Sequence, residues 1–411
     1  MYQFTLKNGL HVILSEDDTL PLVSVVVAYN VGSINEEPGK AGLACLLENL
    51  MFYGSKNVNR MQHIIHINKI GGILNATTTE ESTIFHQTVP SNQLALVLWL
   101  ESDRMSFLEI TDSKIERARD SLIEEINHRK NTDPYLDSLY AFDQLLFGDF
   151  AYSHPVIGTE NDLRNITLKD VIEFYSTYYT PNNAVLCIVG NIDSSSAEKL
   201  VRKYFESLPK GNRALPTTQP EEFKKKSAAE SLREPLAPIP GFYLGYKLPS
   251  PLLKDYYPLA MIEYILIRGK SSRLQNRLYK RERIAFSFHG GLEKWRRFAA
   301  FKLFVMGNND VMVEMSLKAV YSEINKLRTV RVPDKELTKA KNMFKANYVS
   351  LYSTTLDRAL FLAESFLSRG SLDHLPSELD KYLKVTSGEI IGVMNRYFVP
   401  ENRILLIVEA K

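Results

Sequence analysis

The sequence predicts an α+β protein of two homologous domains, each a mostly antiparallel sheet packed with helices. Two observations carry this. Thr167-Leu168-Lys169-Asp170 leads through Tyr178-Tyr179-Thr180-Pro181-Asn182-Asn183 into the apolar run Ala184 to Val189. Thr386-Ser387-Gly388-Glu389 leads in the same way through Tyr397-Phe398-Val399-Pro400-Glu401-Asn402 into Arg403 to Val408. The differences 386 − 167, 400 − 181 and 408 − 189 all equal 219, about half of the 411 residues. A half-length offset marks a duplicated domain, because solenoid repeats run at periods of roughly 20–50 residues. Strands and long helices also mix without the regular βαβ alternation of a doubly wound sheet.

The elements follow in order. Thr5 to Leu14 alternates around Asn8-Gly9, a hairpin signal. Leu22 to Tyr29 is β-branched and reads as a buried strand. Ala41 to Met51 carries leucines at helical spacing after the breaker pair Pro38-Gly39. Met61 to Ile70 is amphipathic, and Ser113 to Lys130 is a long charged helix. Between Gly211 and Pro240 there are five prolines, the run Lys224-Lys225-Lys226 and few large apolar residues, the composition of a linker. The expected domains are 1–210 and 241–411, joined by a linker at 211–240.

Composition excludes several classes. Fifty Lys and Arg against 48 Asp and Glu leave a formal charge of +2, so a basic nucleic-acid groove is not expected. Two cysteines, Cys45 and Cys187, make neither a disulfide framework nor an all-cysteine zinc site. Leu94 to Leu100, seven residues, is the longest apolar run, against roughly 20 for a membrane span. Met1 to Gly9 lacks a charged region followed by an apolar core, so the numbered chain reads as cytoplasmic; a signal peptide trimmed earlier stays compatible with it.

The chemistry centres on Gly42-Leu43-Ala44-Cys45-Leu46-Leu47-Glu48-Asn49. This helix resembles that of the pitrilysin and mitochondrial processing peptidase family, the inverted zincins. Their motif is H-x-x-E-H, two zinc-binding histidines one turn apart around a general-base glutamate. Here the histidine positions hold Cys45 and Asn49, while Glu48 stands at the base position. Other stretches are similar to the family's, in order along the chain. They are Gly71-Gly72-Ile73-Leu74-Asn75-Ala76, Leu100-Glu101-Ser102-Asp103-Arg104-Met105, Tyr152-Ser153-His154-Pro155-Val156-Ile157-Gly158, Tyr178 to Val189 and Gly269-Lys270-Ser271-Ser272-Arg273-Leu274.

The resemblance assigns further positions. The family's third ligand is a Glu about 76 residues after the second motif histidine, which selects Glu125. An Arg and a Tyr seven residues apart, which help hold the substrate in the family, fall on Tyr279 and Phe286. Cys45 and Glu125 are ligand types, but Asn49 is a neutral amide, which zinc sites do not use. The expectation is no catalytic residue, no metal and no cofactor in this chain. His63, His66 and His128 do not rescue a metal site: no acid flanks the first two, and His128 reads as a surface residue.

What the resemblance implies is a degenerate half of a clamshell. Its zinc would sit in a homologous H-x-x-E-H partner, as a heterodimer, or the chain would pair with itself. The substrate would be an unfolded peptide, added as a strand along Asn75, Ala76, Thr77, Thr78 and Thr79. No nucleic acid and no membrane are expected as partners. A scaffold of the same fold with no peptidase partner is the alternative.

Overall fold

A computed structural model describes residues 1–212 and 222–411. Part of the expected linker, 213–221, lies outside the described residues. The strands are β1 (Tyr2–Thr5), β2 (His11–Glu16), β3 (Leu22–Tyr29), β4 (Ile73–Thr78), β5 (Thr83–Pro90), β6 (Ala184–Gly190), β7 (Ala228–Arg233), β8 (Gly241–Pro249), β9 (Ser287–Lys294), β10 (Phe298–Met306) and β11 (Arg403–Glu409). The helices of the first half are α1 (Leu43–Leu50), α2 (Gln62–Lys69), α3 (Leu94–Ser106), α4 (Asp112–Thr132), α5 (Leu136–Phe147), α6 (Phe150–Ser153), α7 (Glu160–Asn165), α8 (Leu168–Tyr178) and α9 (Ser194–Phe205). Those of the second are α10 (Tyr256–Leu266), α11 (Asp310–Thr329), α12 (Asp334–Ser350), α13 (Thr355–Arg369), α14 (Leu375–Leu383) and α15 (Ser387–Tyr397). A π-helical segment covers Gln275–Arg281.

Two sheets result, in the orders β1-β2-β6-β3-β5-β4 and β7-β11-β8-β10-β9. In each, one pair is parallel (β2 with β6, β7 with β11) and the other pairings are antiparallel. The α+β architecture read from the sequence is the one observed. The duplication is visible atom by atom. Thr167 and Thr386 both cap a helix through a capping box, with Asp170 and Glu389 as the reciprocal residues. After each helix, an Asn donates its side-chain N–H to a tyrosine carbonyl: Asn183 to Tyr178 and Asn402 to Tyr397, both at 2.8 Å.

The compact units are not the two sequence halves. One unit comprises Met1–Asn127, Phe150–Thr217 and Ser350–Leu372; the other comprises His128–Asp149, Thr218–Val349 and Asp373–Lys411. So α5 belongs to the second sheet and α13 to the first, and these helices begin 219 residues apart, at Leu136 and Thr355. The boundaries 1–210 and 241–411 miss this reciprocal exchange. The linker 211–240 also holds β7, which pairs with β11. Its exposed, polar sequence Ala228-Ala229-Glu230-Ser231-Leu232-Arg233 belongs to a sheet edge and has little apolar signal to read.

The exchange explains the uninterrupted apolar strands. Val23, Val25, Val27 and Tyr29 of β3 belong to the main core of the first unit. Pleating turns Ser24, Val26 and Ala28 to the other face. That face carries α13: Ser24 Oγ is 2.8 Å from Thr355 Oγ1, and α13 packs on β3 and β6. A strand covered on both faces reads as a continuous apolar run.

Candidate functional site

Helix α1 is built from its N-terminus. Gly42 has φ +93°, and a Cβ there would meet the Ile157 carbonyl at 2.5 Å, so glycine is required. Glu36 caps the helix from six residues upstream. Its carboxylate accepts N–H bonds from Gly42 (2.9 Å) and Ala44 (2.8 Å), and lies 3.0 Å from His154 Nε2. Burial pushes the Glu36 carboxyl up, opposed by the hydrogen bonds from His154 and the two amides. Burial pulls His154 down, but the Glu36 hydrogen bond, the Phe150 carbonyl and the Glu36 charge leave it raised. The Tyr-x-His-Pro-x-x-Gly loop is therefore the clamp on the start of α1. Its Gly158 (φ +80°) packs against the backbone of Ala41 and Gly42.

The helix then separates its two faces. Leu43, Leu46, Leu47 and Leu50 are buried, while Cys45, Glu48 and Asn49 are half-buried on the other side. Thr78 of β4 donates its hydroxyl to Glu48 Oε2 at 2.5 Å. Burial raises the Glu48 carboxyl above its ordinary value; Thr78 opposes this and the nearby Glu125 charge adds to it. Glu125, exposed on α4, thus lies within electrostatic reach of Glu48. Cys45 and Glu48 act in turn on Tyr179, whose buried hydroxyl bonds Thr83 at 3.3 Å and is held well above its ordinary range, chiefly by burial.

The Leu-Glu-x-Asp-Arg-Met stretch supports this layer from below. Arg104 and Glu101 form a buried bidentate pair, with Nε–Oε2 at 2.9 Å. Glu101 also accepts from Gln87, which lies 3.2 Å from His63 Nε2. The Arg104 guanidinium sits 4.1 Å over the Phe85 ring. Asp103 accepts from Ser55 (2.5 Å) and from Asn57 Nδ2 (2.6 Å), fixing the loop after α1. His63 is thus a core histidine, buried and 4.0 Å from Glu101 Oε1.

The residues do not fit zinc. Asn49 offers an amide, Glu48 is engaged by Thr78, and among the described residues no group of three His, Cys, Asp or Glu is arranged to hold a metal ion. In the second unit, the Tyr279 hydroxyl accepts the Phe288 N–H at 2.8 Å and its ring stacks on Phe288, 5.3 Å between centroids. Tyr279 therefore anchors the start of β9, while Phe286 is 62% exposed. Arg273 of Gly-x-Ser-Ser-Arg-Leu makes a bidentate pair with Glu336, at 2.9 and 2.7 Å.

Strand β4 lies at the edge of the first sheet and, among the described residues, pairs only with β5. The Thr79 N–H bonds the Ser82 carbonyl at 2.8 Å. Antiparallel alternation then turns the backbone of Thr77, Asn75 and Ile73 toward β5, and that of Thr78, Ala76 and Leu74 to the open edge. The Ala76 N–H, accordingly, is met by its neighbour's Asn75 Oδ1 at 2.9 Å rather than by the ladder. Thr79 itself falls just beyond the strand, in the turn to β5. The sequence reading missed Glu36 and His154 as the clamp of α1. The His154 loop was a visible signal, but nothing marks Glu36 apart from the adjacent Glu37.

Residues 11–145 match the insulinase family (peptidase family M16), and residues 165–344 match the peptidase M16 inactive domain. The zinc protease PqqE of Helicobacter pylori is 29% identical over 397 residues, 96% of this chain and 89% of that protein. A solved structure of a protease from Helicobacter pylori superposes with a TM-score of 0.92 at 29% identity, covering 99% of both chains. The periplasmic protease PqqL from Escherichia coli, at 18% identity and a TM-score of 0.80, shares the fold over 99% of this chain and 47% of its own. Among the described residues, no helix is long and apolar enough to cross a membrane. With both family domains in order and the whole fold shared, the chain belongs to the M16 peptidase family.

Proposed function

We propose that the chain is a catalytically inactive subunit that completes the peptide-binding chamber of a homologous, zinc-bearing H-x-x-E-H partner. The observation that carries this is the face of α1. It presents Cys45, Glu48 and Asn49 beside the open edge of β4, with Glu48 bonded to that edge strand and, among the described residues, no ligand set for zinc. What remains is a surface that can hold an extended peptide. Strand addition gains affinity from main-chain hydrogen bonds and suits a broad class of unfolded sequences. The match of this chain to 47% of PqqL supports two such chains doing together what one longer chain spans.

The test uses the chain with a labelled unstructured peptide. Ala76→Pro removes an N–H that takes no part in the β4–β5 ladder, and proline is tolerated on an edge strand. Peptide binding should fall at least about tenfold, the equivalent of ~1.4 kcal/mol, with thermal stability little changed. Unaltered binding would show that the peptide lies elsewhere. Co-purification from the native organism should bring down a homologue with an intact H-x-x-E-H, and chelator-sensitive cleavage by the isolated chain would overturn the inactive assignment.

A further inference from the structure

The chain as a whole has a net charge of +2, but Arg268 to Arg283 contains seven Lys or Arg and one acid, Glu282, a net charge of +6 over sixteen residues. The structure sorts these cations into two kinds. Arg268, Arg273 and Arg277 are tied to carboxylates: Glu263, Glu336, and Glu282 with Glu323. Lys270, Lys280, Arg281 and Arg283 are exposed and, among the described residues, make no ion pair. Lys280 Nζ donates to the Lys270 carbonyl at 2.8 Å. Lys339 of α12 donates to the carbonyl and hydroxyl of the next residue, Ser271, at 3.2 and 3.1 Å. Two ammonium groups are thus gathered on the carbonyls of the adjacent residues Lys270 and Ser271, while Glu336, one turn from Lys339, is taken up by Arg273.

The backbone adds an independent sign. Arg283 has φ +54°, left-handed, and is one of two non-glycine residues so placed among the described residues. An L-residue with an ordinary side chain is disfavoured there relative to glycine. Among the described residues, no hydrogen bond or ion pair of the Arg283 side chain offsets that strain. Three residues on, the Phe286 ring stands 62% exposed. Exposed cations, with one exposed aromatic three residues along the chain from Arg283, complement a carboxylate-rich segment that also carries an apolar residue. One phenyl ring is too small an apolar contact to favour a membrane, and the Tyr279 ring, which a base would need for stacking, is already stacked on Phe288.

We propose that Lys270, Lys280, Arg281, Arg283 and Lys339, with Phe286, form a docking face for an acidic, extended segment of a partner protein. It acts independently of the β4 edge. The probe is a labelled peptide of Glu and Gly with one Phe, titrated onto the full chain and followed by fluorescence anisotropy. Binding should weaken as salt is raised, and should fall about tenfold or more in Lys280→Glu/Arg281→Glu, an exposed pair whose reversal leaves the unfolding temperature nearly unchanged. Arg283→Gly should weaken binding while raising that temperature. Ala76→Pro should leave binding unaffected. Equal binding of a Lys-containing counterpart, no loss on charge reversal, loss in Ala76→Pro, or tighter binding of duplex DNA or anionic vesicles would each overturn the proposal.

Discussion

At Glu48, burial and a neighbouring like charge work against one hydroxyl. Burial and Glu125 raise the carboxyl above its unfolded value, and the Thr78 hydrogen bond only partly compensates. A carboxyl whose folded value is raised binds its proton more tightly when folded. Its ionisation therefore costs stability as pH rises through the folded value, and the cost is absent below the unfolded value near ~4.3. Glu48→Gln removes the charge and keeps an oxygen for the Thr78 hydroxyl. It should raise the calorimetric unfolding temperature at pH 7 by about 1–3 °C, an advantage that shrinks toward pH 4. A loss of stability at pH 7 would mean that Glu48 is held by a cation in solution. Glu36 shows the opposite outcome of the same physics. It is more deeply buried and also raised, yet two helix amides and His154 converge on it, so its removal strands donors as well as removing a charge.

On the scale of one helix, α1 keeps the frame of a zinc site without its ligands. Cys45 and Asn49 lie one turn apart on the half-buried face, away from the leucines. Cys45→His with Asn49→His should therefore fold, since His costs well under ~1 kcal/mol per site in helix propensity. Zinc affinity should rise in calorimetry, with Glu125 supplying the third ligand. Peptide cleavage should stay low, because groups that orient metal ligands typically matter about 10–100-fold and Tyr279 is committed to the Phe288 amide. No gain in zinc binding would mean that Glu125 does not reach the two histidines. The same helix shows what was legible beforehand. Leucine spacing gave its buried face, and the strand run Leu22 to Tyr29 coincides with β3. β7 was not legible, because an exposed edge strand takes its hydrogen bonds from β11 and leaves little apolar pattern. The clamp Glu36–His154 joins residues 118 apart, a pairing that no local pattern encodes.

Across the whole molecule, the 219-residue repeat predicted two units, but periodicity could not say that the units trade a helix. A duplicated sequence gives α5 and α13 equivalent patterns, and each could cover either sheet. The structure puts α13 on the first. There Val26, Ala28, Val185, Cys187 and Val189, all fully buried, form the side of β3 and β6 turned away from the main core. Ala359, Leu362, Ala363 and Phe366 of α13 are buried in turn, and Phe366 stacks on His11 with centroids 3.7 Å apart. At roughly 1.5–3 kcal/mol for each large buried side chain, Leu362 and Phe366 alone contribute on the order of 5 kcal/mol. That is comparable to the ~5–15 kcal/mol of net stability a whole domain possesses. A fragment of residues 1–212 should therefore not fold as the sequence halves suggest. It should bind a hydrophobic dye and lack a cooperative thermal transition. Adding a synthetic peptide of residues 350–372, which carries α13, should restore the transition and reduce dye binding. Replacing Leu362 and Phe366 in that peptide by Ser should abolish the rescue. A fragment that melts cooperatively by itself would show that the first sheet is stable with one face bare, and that the exchanged helix is dispensable to its fold.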